Sequence, residues 1–412
     1  MTGDGRTRYR DALEHSEFRA LFVSQLSSIT GTSVAAVALT VLVYQRTSSP
    51  LLSSLTFALG FVPYLLGGGL LSAVVDRVPP RRLVARCNVA AALVAAAMAW
   101  PSAPTWLLLA LLVAIGSLTS LAGGAQAALV RTVVPDAAYV PARSLLRIVA
   151  QLAQIGGNAV GGALLVILTP SGAILVNAAS FGIAALVIRA GVSDVPLTGR
   201  RHESHVLRDS LAGMRTVFAI PELRRLLLLS WLVPAFTVAP EALAAPYVAG
   251  RGGASSLVGV WLVALPLGMV LGDLAGVWRL GTRSQQRIVA PAAALSFVPY
   301  LVFVAHPSIA AALPLLALAG LGSLYSLGLD LRVRDAAPDD LFARVMTLNS
   351  AGLMTLQGLG FVLAGATAEL VGAPAAIAIA GVCGIVAAVV FGPWREPAGY
   401  ASEATVSSRA DA

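Results

Sequence analysis

Two acidic side chains, Glu241 and Asp273, stand inside otherwise apolar stretches of this chain, and chemistry would start with them. A charge in hydrocarbon is costly, so an ionisable residue there is a functional candidate by default. Desolvation favours the protonated carboxyl, and a carboxyl that changes protonation as its surroundings change can couple proton movement to another event. Helical rise places Glu241 about 24 Å from Arg225, in the outer third of a membrane, and Asp273 about 9 Å from Arg279. Pro234, Pro240 and Pro246 break the segment around Glu241 and free carbonyls that need other partners. The plainer alternatives are a wetted residue at an outer mouth for Glu241 and an ion pair with Arg279 for Asp273. Glu369 reads as interfacial.

Uncharged polar side chains accompany these acids. The stretch SQLSSITGTSVAA offers hydroxyls at Ser24, Ser27, Ser28, Thr30, Thr32 and Ser33, but no charge. Gln25, Gln126, Gln151, Gln154, Asn158, Asn177, Asn349 and Gln357 are suited to lining a polar cavity, and equally to bonding helices together. Trp231, Phe236, Trp261, Tyr300 and Tyr325 would contact an apolar part of a substrate, whereas Trp100, Trp106 and Trp394 fit an aromatic belt at the membrane interface. No GxxxxGK[ST] phosphate loop is present. His15, His202, His205 and His306 form no metal motif, and no Ser-His-Asp or paired-carboxylate arrangement is suggested. The expectation is therefore no enzyme, no cofactor and no metal, with energy drawn from an ion or substrate gradient.

The elements that must hold these residues are membrane helices. The chain is 57% hydrophobic and 12% charged, with mean hydropathy +0.82, far from about 25% charged in a soluble domain. Runs long enough to span hydrocarbon occur near 18–44, 51–75, 83–100, 106–130, 144–168 and 171–188. They resume near 226–248, 257–280, 288–304, 309–329, 341–370 and 375–392. The predicted fold is all-α and polytopic, with twelve transmembrane helices in two pseudo-symmetric six-helix bundles. Its divisions are an N-terminal bundle (1–190), a cytoplasmic linker (191–221), a C-terminal bundle (222–394) and a cytoplasmic tail (395–412). The first run lacks a small-residue cleavage site and is expected to be retained.

All 28 basic residues are arginine, and only Arg46 and Arg251 fall in the loops opposite the rest. The positive-inside rule then places both termini in the cytoplasm of a multi-pass plasma (cell inner) membrane protein. The same distribution argues against nucleic acid as a partner, because the arginines punctuate apolar runs and form no basic face. The expected partners are a small-molecule substrate, protons and the lipid bilayer, and the expected state is a monomer. Cys87 and Cys383 suggest no disulfide framework. Three pairs of segments recur 203 to 205 residues apart: EFRALF with ELRRLL, PDAAYVPAR with PDDLFAR, and QIGGNAVGG with QGLGFVLAG. Duplication into two like-oriented halves is one of the known transporter architectures.

The stretch SAVVDRVPPRRLVAR, from Ser72 to Arg86, resembles the loop between the second and third helices of the major facilitator superfamily. Asp76 and Arg77 match its acidic-basic pair, Pro79-Pro80 the turn, and Arg81 and Arg82 the basic residues, while Ser72 replaces the usual glycine. The resemblance implies that Asp76, Arg77, Arg81 and Arg82 form a cytoplasmic gate that latches the halves. GGNAVGG on the fifth helix resembles the exporter stretch Gly-Pro-x-x-Gly-Gly through Gly157, Gly161 and Gly162, with Asn158 at the proline position. EFRALFVSQL and VPDAAYVPARSLLR are similar to the drug- and siderophore-exporting branch. What this implies is a secondary active transporter exporting a small amphiphilic molecule, drug- or siderophore-like, by proton antiport and alternating access. The alternatives are an importer or facilitator of a small metabolite on the same fold, and a non-transporting membrane receptor or scaffold.

Overall fold

The computed structural model describes residues 13–63, 78–194, 216–338 and 341–394. Asp76 and Arg77 of the expected gate, most of the expected linker and the expected tail lie outside the described residues. The described chain is helical, with no strand among the described residues.

Twelve helical segments among the described residues correspond to the predicted spans, with a further short helix, Thr282–Arg287, between the eighth and ninth. The first six are α1 (Ser16–Thr47), α2 (Pro50–Ala58), α3 (Pro80–Met98), α4 (Thr105–Val133), α5 (Asp136–Ile167) and α6 (Pro170–Gly191). The second six are α7 (Pro221–Gly250), α8 (Leu257–Arg279), α9 (Val289–Ala305), α10 (Ile309–Ala336), α11 (Phe342–Val371) and α12 (Ala373–Phe391). Nine helices among the described residues are long and apolar enough to cross a membrane. The other three are α2, α3 with its arginines, and the shorter apolar α9. Proline opens α2, α3, α6 and α7, where its missing N–H is no loss. Ser49, Thr169 and Ser308 cap α2, α6 and α10 by accepting from Leu52, Gly172 and Ala311 backbone N–H groups.

The two sets of six pack alike. α1 lies against α5 and α6, and α7 against α11 and α12. α3 lies against α4 and α6, and α9 against α10 and α12. The repeat in the sequence is thus a repeat of helix pairing. Side chains such as Leu93, Leu186 and Trp278 stay exposed on the outer faces, which hydrocarbon satisfies and water would not. Trp100, Trp106 and Trp394 are exposed near helix ends.

α7 is segmented at Ala239–Ala242 and again at Ala244–Gly250. Proline cannot donate to the preceding turn, so the break leaves carbonyls to be satisfied from elsewhere. Tyr300 Oη of α9 donates to Thr237 O at 2.9 Å, and Trp261 Nε1 of α8 donates to Pro240 O at 2.7 Å. Trp261→Phe keeps the ring and removes this donor from a buried carbonyl. It is expected to destabilise the protein by about 1–3 kcal/mol, read as a lower melting temperature in detergent.

The buried core of the first six helices is divided. One apolar cluster, around Phe18, Val84 and Leu129, sits at the arginine-rich end, and another, around Val34, Leu108 and Phe181, sits toward the opposite end. Val37, Val41 and Ala58 belong instead to the core of the second half. The halves are therefore joined toward the arginine-poor end.

Candidate functional site: a polar cavity between the two halves

Between the two apolar clusters of the first half lies a cavity of about 420 Å³. Amides from four helices enter it: Gln25 on α1, Asn88 on α3, Gln126 on α4, and Gln154 with Asn158 on α5. Hydroxyls of Ser28, Thr32, Ser33 and Thr119 join them, and the rings of Phe57 and Phe181 supply apolar wall. Glu241, half-buried in the broken middle of α7, is the one charged residue among those that line the space. The helix break matters here. A straight helix would satisfy its own carbonyls, whereas this one turns at Pro240 and presents Glu241 from the second half to a wall built by the first.

Glycine sets how closely α5 approaches its neighbours. A Cβ on Gly157 would stand 2.6 Å from Ser33 Cβ of α1, and one on Gly162 would stand 2.6 Å from Ser256 O and 2.8 Å from Gly259 Cα of α8. The GGNAVGG stretch therefore packs on the first half with one face and on the second half with the other. Asn158 sits between, with Nδ2 3.4 Å from Leu262 O, a long contact that bridges the halves beside the cavity.

Further contacts close the arginine-poor end. Glu369 of α11 accepts from Ser49 Oγ and from Leu51 N at 3.2 Å, so a carboxylate of one half caps a helix of the other. Phe361 of α11 stacks on Phe57 and Phe61, with centroids 5.2 and 5.8 Å apart. Gln45 Nε2 donates to Ser255 Oγ at 3.1 Å. Glu369→Ala is expected to cost roughly 0.5–2 kcal/mol, the usual range for a lost cap. The measurement is thermal unfolding in detergent.

The remaining residues singled out in the sequence lie elsewhere. Asn177 is buried and packs with Ser180, whose hydroxyl donates to Asn177 O at 2.8 Å. Trp231 Nε1 donates to Asn349 at 3.1 Å, and the indole rests on Gly352 of α11. Tyr325 is buried in the core of the second half, and Phe236 packs against that core. None of these, nor Gln357, lines the cavity. Trp231 and Asn349 bond to each other between α7 and α11, so these two groups serve as interhelical glue.

Asp273 also lies off the cavity, with Ser323 Oγ of α10 donating to its Oδ1 at 3.0 Å. No ion pair joins it to Arg279 among the described residues. Asp330 of α10 interacts electrostatically with Asp273 and, across the halves, with Arg147 of α5. Asp330 was not legible as a membrane residue because the apolar run ends at about 329, whereas α10 continues to Ala336. Asn88 was missed because it is a single amide among alanines. Arg81 and Arg82 bind within their own half: Arg81 Nη2 donates to Arg189 O at 2.5 Å, and Arg82 Nε donates to Asp194 Oδ2 at 2.8 Å.

Comparison with known proteins agrees with this fold. The sequence model described as Major Facilitator Superfamily matches residues 21–331. No curated protein matches the chain. A nucleoside transporter superposes with a TM-score of 0.71 at 14% identity, covering 91% of this chain and 98% of that one. A bacterial homologue of the human lysosomal transporter Spinster, inward-facing and unoccupied, gives 0.69 at 14% identity over 91% and 95%. A bacterial homologue of the iron transporter ferroportin, inward-facing, gives 0.67 at 16% identity over 92% and 98%.

Proposed function

Since the chain belongs to the Major Facilitator Superfamily, we propose that it exports a small amphiphilic organic molecule in exchange for protons, by alternating access. The observation that carries this reading is Glu241 standing as the one charged residue among the side chains that line the cavity. An amphiphile sets its apolar body against Phe57 and Phe181, its polar atoms against the amides, and a weakly basic group toward Glu241. Substrate and proton then compete for one carboxylate, which is the coupling that antiport requires. A volume of about 420 Å³ suits a small molecule.

The seal toward the arginine-poor end leaves the cavity facing the other way, a state that exporters and importers both pass through. By the positive-inside rule the arginine-rich end faces the cytoplasm of the plasma membrane, along with both termini. The cavity then loads from the cytoplasm. Arg81 and Arg82, with Asp76 and Arg77, are assigned to closing the cytoplasmic end in the opposite state. Asp273 and Asp330 are assigned as their second-half counterparts, supported by the place of both acids toward the arginine-rich end of the second half, where the charge of Arg147 of α5 reaches Asp330. Import or facilitated passage of a metabolite is the second reading, favoured by Asn158 at the position of the exporter proline.

Inverted vesicles test the direction. With an acidic interior, export predicts that a fluorescent amphiphilic dye from a susceptibility panel accumulates, and that dissipating the pH gradient abolishes accumulation. Uptake indifferent to the gradient would support facilitation. Binding without flux would support a receptor.

A further inference from the structure

We propose that the pocket between α3 and α6 at the arginine-rich end is a binding site for the headgroup of an anionic phospholipid. The pocket holds about 380 Å³ and is lined by Arg81, Arg82, Ala85, Arg86 and Arg189. Four guanidiniums therefore face one space. Asp194 pairs with Arg82, and Arg81 is spent on the carbonyl of Arg189. The guanidiniums of Arg86 and Arg189 have no ion-pair or hydrogen-bond partner among the described residues. Among the described residues, four positive charges against one carboxylate repel one another, and a phosphate among them relieves that repulsion. Guanidinium is the side chain best shaped for the task, since it offers two parallel N–H donors to two phosphate oxygens.

A second observation identifies the anion as a lipid rather than a free phosphate. Arg86, Val89 and Leu93 lie on one face of α3, and Val89 and Leu93 are 50% and 68% exposed. On α6, Ile183 and Leu186 lead up to Arg189 and are 51% and 67% exposed. The charged pocket thus sits at the edge of two bare apolar tracks that run into the depth of the membrane. Leu93 is about 10 Å along α3 from Arg86, enough to receive the upper part of an acyl chain. A free phosphate would use the arginines and leave the tracks empty. A phospholipid with an uncompensated negative charge uses both.

The test turns on Arg86 and Arg189, which the transport reading does not use, whereas Arg81 and Arg82 are shared with the proposed cytoplasmic gate. The test is native mass spectrometry of the full-length protein in detergent, offered an equimolar mixture of dioleoyl phosphatidylglycerol and dioleoyl phosphatidylcholine. The wild type is expected to retain the anionic lipid preferentially. Arg86→Gln/Arg189→Gln should lower that preference roughly thirtyfold, at two near-surface charges removed. Arg86→Lys/Arg189→Lys, which restores the charge, should recover it in part. Arg279→Gln/Arg344→Gln removes two exposed arginines elsewhere and should leave it unchanged. Size-exclusion profiles of all variants establish folding. The proposal is overturned if the Arg86/Arg189 glutamine variant keeps the wild-type preference, or if the Arg279/Arg344 pair lowers it equally. It is also overturned if excess inorganic phosphate strips the lipid from the wild type, which would mark a free-phosphate site.

Discussion

Glu241→Gln is expected to lower pH-driven dye accumulation in inverted vesicles by roughly 5- to 150-fold, the span of typical coupling energies between two ligands. Glutamine keeps the size of the side chain and most of its hydrogen bonding, but it takes up no proton. The cavity should therefore still bind a neutral amphiphile, since the amides of α1, α4 and α5 and the two phenylalanines remain in place. What disappears is the competition between proton and substrate. The expected signature is binding preserved within a few fold, flux down the substrate's own gradient preserved, and flux driven by pH lost. Asp273→Asn is the informative comparison, because Asp273 is held by Ser323 and lies off the cavity. If Glu241→Gln accumulates dye as well as wild type, the coupling role of Glu241 is refuted. If Asp273→Asn alone loses the gradient dependence, the role passes to Asp273.

A side chain at Gly259 should open the seal. A Cβ there would lie 2.4 Å from Gly162 Cα, 2.5 Å from Gly162 N and 2.6 Å from Asn158 O. All three are backbone atoms of α5, so no rotamer change relieves the clash. Overpacking of this kind costs about 1–3 kcal/mol or more. The protein can avoid that cost by separating α5 from α8 and populating the state open at the arginine-poor end. The population ratio then shifts by about 5- to 150-fold for that range of energies. Gly259→Val, combined with a cysteine at Val41 in the seal, is expected to react faster with a membrane-impermeant maleimide added from outside. The same cysteine in a Gly259 background should react slowly, because Val41 is buried where α1 meets the core of the second half. Gly182, whose Cβ would meet nothing within 4 Å, is the control: Gly182→Ala should change nothing. Equal labelling of the Gly259→Val and Gly259 proteins would show that this seal does not govern access.

Particular residues show how far a sequence reading reaches. Glu241 was legible because an acid within a proline-broken apolar run violates the rule that governs its neighbours. Gln25, Gln126 and Gln154 were legible by type, and so were Asn177, Asn349 and Gln357, yet only the first three reach the cavity. Nothing local separates the two groups. Trp231 meets Asn349 across 118 residues of sequence, and Ser27 of α1 meets Ser180 of α6 across 153. Whether an amide bonds a helix or faces a void depends on which helix lies opposite.

The one-dimensional pattern alone determined membrane class, helix number and internal duplication. Each follows from transfer free energy summed over consecutive residues, and that sum needs no knowledge of neighbours. The arginine pattern added an expected orientation, because charge bias in loops acts segment by segment. The tertiary structure decided where the polar layer opens into a cavity, which amides it receives, and that Glu241 is presented from the second half to a wall built by the first. It also decided that Glu369 caps α2 and that Arg86 and Arg189 share a pocket. Those outcomes depend on contacts between helices far apart in the chain, and packing geometry, unlike hydrophobicity, cannot be summed along a sequence.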